Sequence, residues 1–209
     1  MSLCNCPLGE SLPTIEMQDC PFEFGQLRMI IAQRLKQTTS DGEELNKISN
    51  PSTLASWTAL KTATDDTKVI RLPYVHNPAM TPGDSKIFGE NSNETPDGAG
   101  IVMGENPTTV SGNFAQQPMK VIQQLKQLEC EKLGIYLVDS AGRIYGKEDS
   151  EEDDSISIKP IPIKSFFIKS PEVGNSDNPT KSDFQLKLDP HWYFDIEIVT
   201  PSFNALIEL

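Results

Sequence analysis

The stretch "EKLGIYLVDSAGRIYGK", residues 131–147, decides the fold. Its first part closes a helical pattern near Leu133. Ile135–Val138 is a short apolar run of strand length. Asp139-Ser140-Ala141-Gly142 has the residues of a tight turn, because aspartate accepts local hydrogen bonds and glycine tolerates positive φ. Arg143–Tyr145 reads as a returning strand. A helix running into a hairpin marks an α+β unit, and the rest of the chain is read outward from it.

Just upstream, "PMKVIQQLKQLECEKLG" spaces apolar residues at helical intervals. Val121, Leu125 and Leu128 make one stripe, widened by Ile122 and Leu133. Pro118 suits the first turn and Gly134 the position after the last. This is the principal helix. Downstream, "SISIKPIPIKSFFIKS", "FQLKLDP" and "YFDIEIVT" alternate apolar and polar residues, the strand period. Upstream, "FEFGQLRMIIAQRLK" is ambiguous between helix and strand and is read as a strand, since Gly25 would start a helix badly. "STLASWTALKTAT" is a short helix capped by Ser52 or Thr53, with Leu54, Trp57 and Leu60 on one face. "TKVIRLPYV" is a strand ending near Pro73.

The remainder is polar. Residues 1–21 read as an extended N-terminal arm with Pro7, Pro13 and Pro21. Residues 76–118, rich in glycine, proline and asparagine, read as one long loop or arm with short strand-like pieces, and a loop of that length is functional or disordered. Residues 147–155 form an acidic loop with six acids in the seven residues Glu148–Asp154. The expected fold is mainly β, a β-sandwich with one principal helix and a long extended arm, in the α+β class. The expected organisation is the arm 1–21 and a single domain over 22–209.

Composition narrows the function. The 209 residues carry a formal net charge of −12. Such a chain repels phosphate backbones and does not suit an anionic membrane surface. No apolar run approaches a spanning helix, and the N-terminus has neither a basic nor an apolar signal region. Cys4, Cys6, Cys20 and Cys130 are expected as free thiols. A metal-stabilised adaptor on Cys4, Cys6 and Cys20 and a disulfide are the alternatives, but no second paired-cysteine knuckle exists. His76 and His191 share no motif with a cysteine or serine. No nucleophile elbow, zinc helix or phosphate-cradling loop is present, so neither catalysis nor a cofactor is expected. "DGAG" at 97–100 is read as a turn. The run "DPHWYFD" gathers His191, Trp192 and Tyr193, read as an aromatic anchor at a strand start or subunit contact, with a platform for a glycan or peptide as the alternative.

In order and texture, "CPFEFGQLRMIIAQRL", "LASWTALKTATDDTKVIRLPYV", the polar stretch and "LKQLECEKLGIYLVDSAGRIYG" resemble structural proteins of tailed bacteriophages, in the tail-tube or neck-ring class of crAss-like and related phages. The likeness spans roughly residues 20–209. It implies a β-sandwich flanked by a helix, with one loop reaching a neighbour. It implies identical subunits ringed around a channel, beside other virion proteins, in a virion assembled in the host cytoplasm. Genome DNA would pass without specific binding, and no membrane would be involved. The apolar residues of the long arm, Phe88, Ile101, Val102 and Met103, with Trp192 and Tyr193, are then the expected oligomer contacts. Glu148, Asp149, Glu151, Glu152, Asp153 and Asp154 are the expected lumen or rim acids. The alternative function is a monomeric β-sandwich module that recognises a glycan or host surface.

Overall fold

A computed structural model describes residues 25–89, 100–149, 156–175 and 179–209. The chain is mainly β. The first elements are strands β1 (Leu27–Arg34), β2 (Lys36–Thr39), β3 (Gly42–Leu45) and β4 (Ile48–Ser49), then helix α1 (Leu54–Thr62). Strands β5 (Val69–Arg71), β6 (His76–Thr81), β7 (Ser85–Phe88), β8 (Ile101–Glu105) and β9 (Thr108–Ala115) follow. Helix α2 (Met119–Gln127) runs into a 3-10 turn at Leu128–Cys130. Strands β10 (Leu133–Asp139), β11 (Ile144–Glu148), β12 (Ser157–Lys159), β13 (Ile161–Ile168), β14 (Lys181–Leu188) and β15 (Ile196–Val199) lead to a last short helix, α3 (Ala205–Glu208).

The described residues fall into two units, 25–83 with 106–209, and the hairpin β7–β8 within 84–105. Part of the segment 76–118, expected as one long loop, is regular sheet. β9 pairs along its length with β14, from Lys181↔Ala115 to Leu188↔Thr108, and with β6 on its other side. Between β6 and β9, the described residues of β7 and β8 form a two-stranded ladder of their own, pairing Phe88 with Ile101 and Ile87 with Val102.

In the larger unit every strand pairing is antiparallel, and β10 lies at the centre. It pairs with β1 from Leu27↔Asp139 to Arg34↔Leu133. On its other side it pairs first with β13 at Gly134↔Pro162 and then with β11 at Leu137↔Tyr145. All seven β10 residues are buried. A strand covered on both faces has no polar side, which is why "LGIYLVD" reads as continuous apolar sequence. β13 leaves β10 after Pro162 and, past a register shift between Ile163 and Ser165, continues along β14. The sheet curls at that strand.

One face of β10 carries Tyr136 and Val138. They pack with Met29, Ile31, Trp57, Ile144 and Ile158 under α1 and the C-terminal residues. Trp57 is fully buried, donates Nε1–H to the Pro51 carbonyl at 2.8 Å, and meets Tyr136 edge-on at 5.3 Å. The Tyr136 hydroxyl donates to Gln33 Oε1, and Gln33 Nε2 donates to the Thr67 carbonyl, so the polar atoms of this layer are satisfied. Elsewhere in the unit Phe114 stacks on Phe184 at 4.6 Å.

Two local expectations need correction. Thr53 does precede α1, but its hydroxyl turns to the Asn50 carbonyl instead of capping the helix. Helix α2 ends at Gln127, with Ile122 and Leu125 buried, and Leu133 and Gly134 belong to β10. Gly134 is therefore no helix cap. A Cβ there would lie 2.6 Å from Pro160 Cβ, so glycine lets β13 approach the central strand.

Candidate functional site

The hairpin β7–β8 holds the largest set of expected contact residues. Every β7 residue is exposed, and so is all of β8 except Glu105. Phe88 is 47% exposed, Ile101 52%, Val102 68% and Met103 62%, and Ile87 joins them at 44%. Register places Phe88 opposite Ile101 and Ile87 opposite Val102, so the ladder gathers them across the strands. Such a hairpin is marginal alone, and large apolar side chains left exposed on both of its faces mark a surface that another chain can cover. Ile87 was missed by sequence reading because it sits one residue before a recognised aromatic, beside the register shift between Lys86 and Ile87.

The aromatic run splits. Trp192 is 7% exposed, so its ring is buried within the chain as an anchor. Its neighbours Tyr193 and Phe194 are exposed, and the His191 ring stacks on Phe194 at 4.9 Å and 11°. His191 and Asp195 both take left-handed backbone angles, φ 59° and 58°, which cost a non-glycine residue energy. The turn thus bends sharply around the buried Trp192 and turns the next rings outward. Phe194 was hidden in sequence because it fitted the alternation assigned to β15.

The acidic run also divides. Glu148 ends β11 and is exposed. Asp149 is buried, with its carboxylate 2.6 Å from Lys159 Nζ and 3.3 Å from Lys47 Nζ and accepting the Ser157 hydroxyl at 2.8 Å. It is not a rim acid. It ties the two ends of the acidic loop together and to the residue preceding β4. Burial alone would raise its pKa, but the Lys159 and Lys47 ammonium groups and the Ser157 hydroxyl outweigh that and hold it down to about 2. Glu151, Glu152, Asp153 and Asp154 lie outside the described residues.

A second buried carboxylate organises the "DSAG" turn. Asp139 accepts the Ala141 and Arg143 amides at 2.9 Å, Arg143 Nε at 2.7 Å and the Tyr145 hydroxyl at 2.8 Å. Burial opposes its charge, and the Arg143 and Tyr145 bonds prevail and lower its pKa. This is turn chemistry, as the sequence implied.

Sequence reading gave no hint of a trough between β5 and α2. It has a volume of about 800 Å³ and is lined by Ile70, Leu72, Tyr74, Val121, Leu125 and Leu128, with Lys68 and Arg71 on its rim. The Arg28 and Arg71 guanidiniums lie 5.4 and 4.7 Å from the Tyr74 ring centroid. Among the described residues, no three of histidine, cysteine, aspartate and glutamate gather as a metal site. Cys130 is a free, exposed thiol, and the other three cysteines lie outside the described residues. No described helix is long and apolar enough to cross a membrane.

No protein-family model matches the chain, and no curated protein does. Two solved structures show a partial likeness to the chain. One is a chain of "Virion of native gene transfer agent (GTA) particle", at a TM-score of 0.34 and 10% identity, over 63% of this chain and 89% of that one. Another belongs to "Tail of empty GTA particle computed with helical refinement, C6 symmetry", at a TM-score of 0.35 and 10% identity, over 64% and 87%. Both are gene transfer agent particles, so neither points to the crAss-like lineage named by the resemblance in sequence.

Proposed function

We propose that this chain is a structural subunit of a tailed-phage-like particle, and that identical copies close into a ring or tube segment around a channel for the genome. The observation that carries the reading is the exposed apolar ladder of β7–β8, from Ile87 to Met103. Leaving five large apolar side chains in water is unfavourable by roughly 25 cal/mol per Å², and a subunit contact removes that cost. The net charge of −12 supports a wall that releases DNA instead of holding it. In this reading Phe88, Ile101, Val102, Met103 and Tyr193 are contact residues, and Glu148 with Glu151–Asp154 faces the lumen or rim. Neighbouring virion proteins are the other partners, and assembly takes place in the host cytoplasm.

Mass photometry of the purified protein tests this. The wild-type chain should form closed oligomers, and the double variant Val102→Asp, Met103→Asp should remain monomeric. Equal oligomers from both would refute the role given to the hairpin.

The exposed His191, Tyr193 and Phe194 rings favour a second reading, a monomeric module that binds a glycan or host surface. Glycan binding by a monomer, lost in Tyr193→Ala, would replace the ring.

A further inference from the structure

We infer that the trough between β5 and α2 receives the N-terminal arm, residues 1–24, of a second copy of this chain. The inference rests on the oligomeric reading above and names a contact within it.

The trough has the form of a peptide groove. Ile70, Leu72, Val121, Leu125 and Leu128 give it an apolar floor and wall. Ile70 is 41% exposed although it sits in a strand. β5 pairs only with β1 among the described residues, so its outer edge offers unpaired backbone groups to an added strand. The rim is cationic in a strongly acidic chain. Lys68, Arg71 and the adjacent Arg28 have no carboxylate partner among the described residues. The one lining acid, Glu131, is paired with Arg34 at 3.0 Å.

The occupant follows from charge and length. Residues 1–24 contain Glu10, Glu16, Asp19 and Glu23 and no lysine or arginine, with Leu12, Ile15, Met17 and Phe22 between the acids. That is an apolar segment with the sign the rim lacks. Extended, it reaches about 80 Å, enough to cross to a neighbouring subunit. The acidic run Glu148–Asp154 has no apolar residue to fill the floor. A second copy is the source we infer because the oligomer proposed above brings a neighbour's trough within that reach, and the arm leaves its own chain at Gly25 on the far side of β1 from β5. The Gly25 amide donates to the Tyr145 hydroxyl at 3.4 Å, and a Cβ there would lie 2.3 Å from Asp139 Oδ2.

Cysteines already in the chain provide the test. Cys130 is exposed, next to the lining residues Leu128 and Glu131, and Cys4, Cys6 and Cys20 lie on the arm. A mixture of 14N- and 15N-labelled full-length protein, dissociated, reassembled and treated with a short bis-maleimide, should give heavy–light cross-links from Cys130 to an arm cysteine. Arg71→Glu with Lys68→Glu should lower their yield about tenfold, and Glu16→Lys with Asp19→Lys in the arm should restore it. Cys130→Ser should abolish the cross-links and leave the oligomer intact. Oligomers without these cross-links, or with cross-links only inside one chain, overturn the arm assignment and leave the ring standing. A monomer with no cross-links overturns both.

Discussion

The Asp149 carboxylate shows how a single residue departs from its local composition. It stands in a run of six acids, yet it alone among the described ones is buried, between Lys47 and Lys159. Its folded pKa of about 2 lies below the ordinary 3.8. A depressed carboxylate contributes stability above its unfolded pKa and loses that contribution as pH falls through the folded value. The contribution is therefore complete above about pH 4, fades towards pH 2, and amounts to roughly 2 kcal/mol. Asp149→Asn should lose about that much at pH 7 and show a flatter stability profile between pH 4 and 2 in urea titrations. A variant as stable as wild type at pH 7 would contradict the ion-pair account. Gly134 is a second such residue. Alanine there would force Pro160 away from β10, and Gly134→Ala should cost about 1–3 kcal/mol in denaturant unfolding. Neither role was legible in sequence. Asp149 looks like its acidic neighbours, and Gly134 follows a helical pattern so closely that a cap was the natural reading.

At the scale of elements, what sequence revealed depended on which faces were covered. β10 announced itself because both its faces are buried. β14, with Ser182, Phe184, Leu186 and Leu188 inward, announced itself by alternation. β9 did neither. Its buried face holds Thr108, Val110, Gly112 and Phe114, so two of four positions are apolar. Gly112 is needed because a Cβ would lie 2.8 Å from Val75 and 3.0 Å from Phe184. The strand was thus folded into a long loop although it is a full partner of β14. The contrast between β9 and the hairpin is measurable. Phe114→Ala should remove about 3–5 kcal/mol from the larger unit. Substituting both Val102 and Met103 with aspartate should leave its unfolding within about 0.5 kcal/mol of wild type. Chemical unfolding followed by Trp57 fluorescence separates the two. A hairpin variant as damaged as Phe114→Ala would mean that the ladder supports the fold instead of an interface.

For the whole molecule, charge and apolar surface work in opposite directions. A net charge of −12 keeps copies apart, and the Coulomb term between exposed charges is screened over about 8 Å at physiological salt. Assembly through the β7–β8 ladder should therefore strengthen from 10 to 300 mM salt, as sedimentation velocity can follow. Association that weakens with salt even in the Arg71→Glu, Lys68→Glu variant, which removes the charge pairing proposed for the arm, would place ion pairs, not apolar burial, at the ladder. Electron cryo-microscopy of the full-length chain at micromolar concentration tests the central claim most directly. The account predicts closed rings or tube segments, with β7–β8 at the boundary between subunits and acidic side chains on the inner wall. A monodisperse particle of 23.1 kDa at every concentration, or a ring whose opening is lined by lysine and arginine, would contradict it.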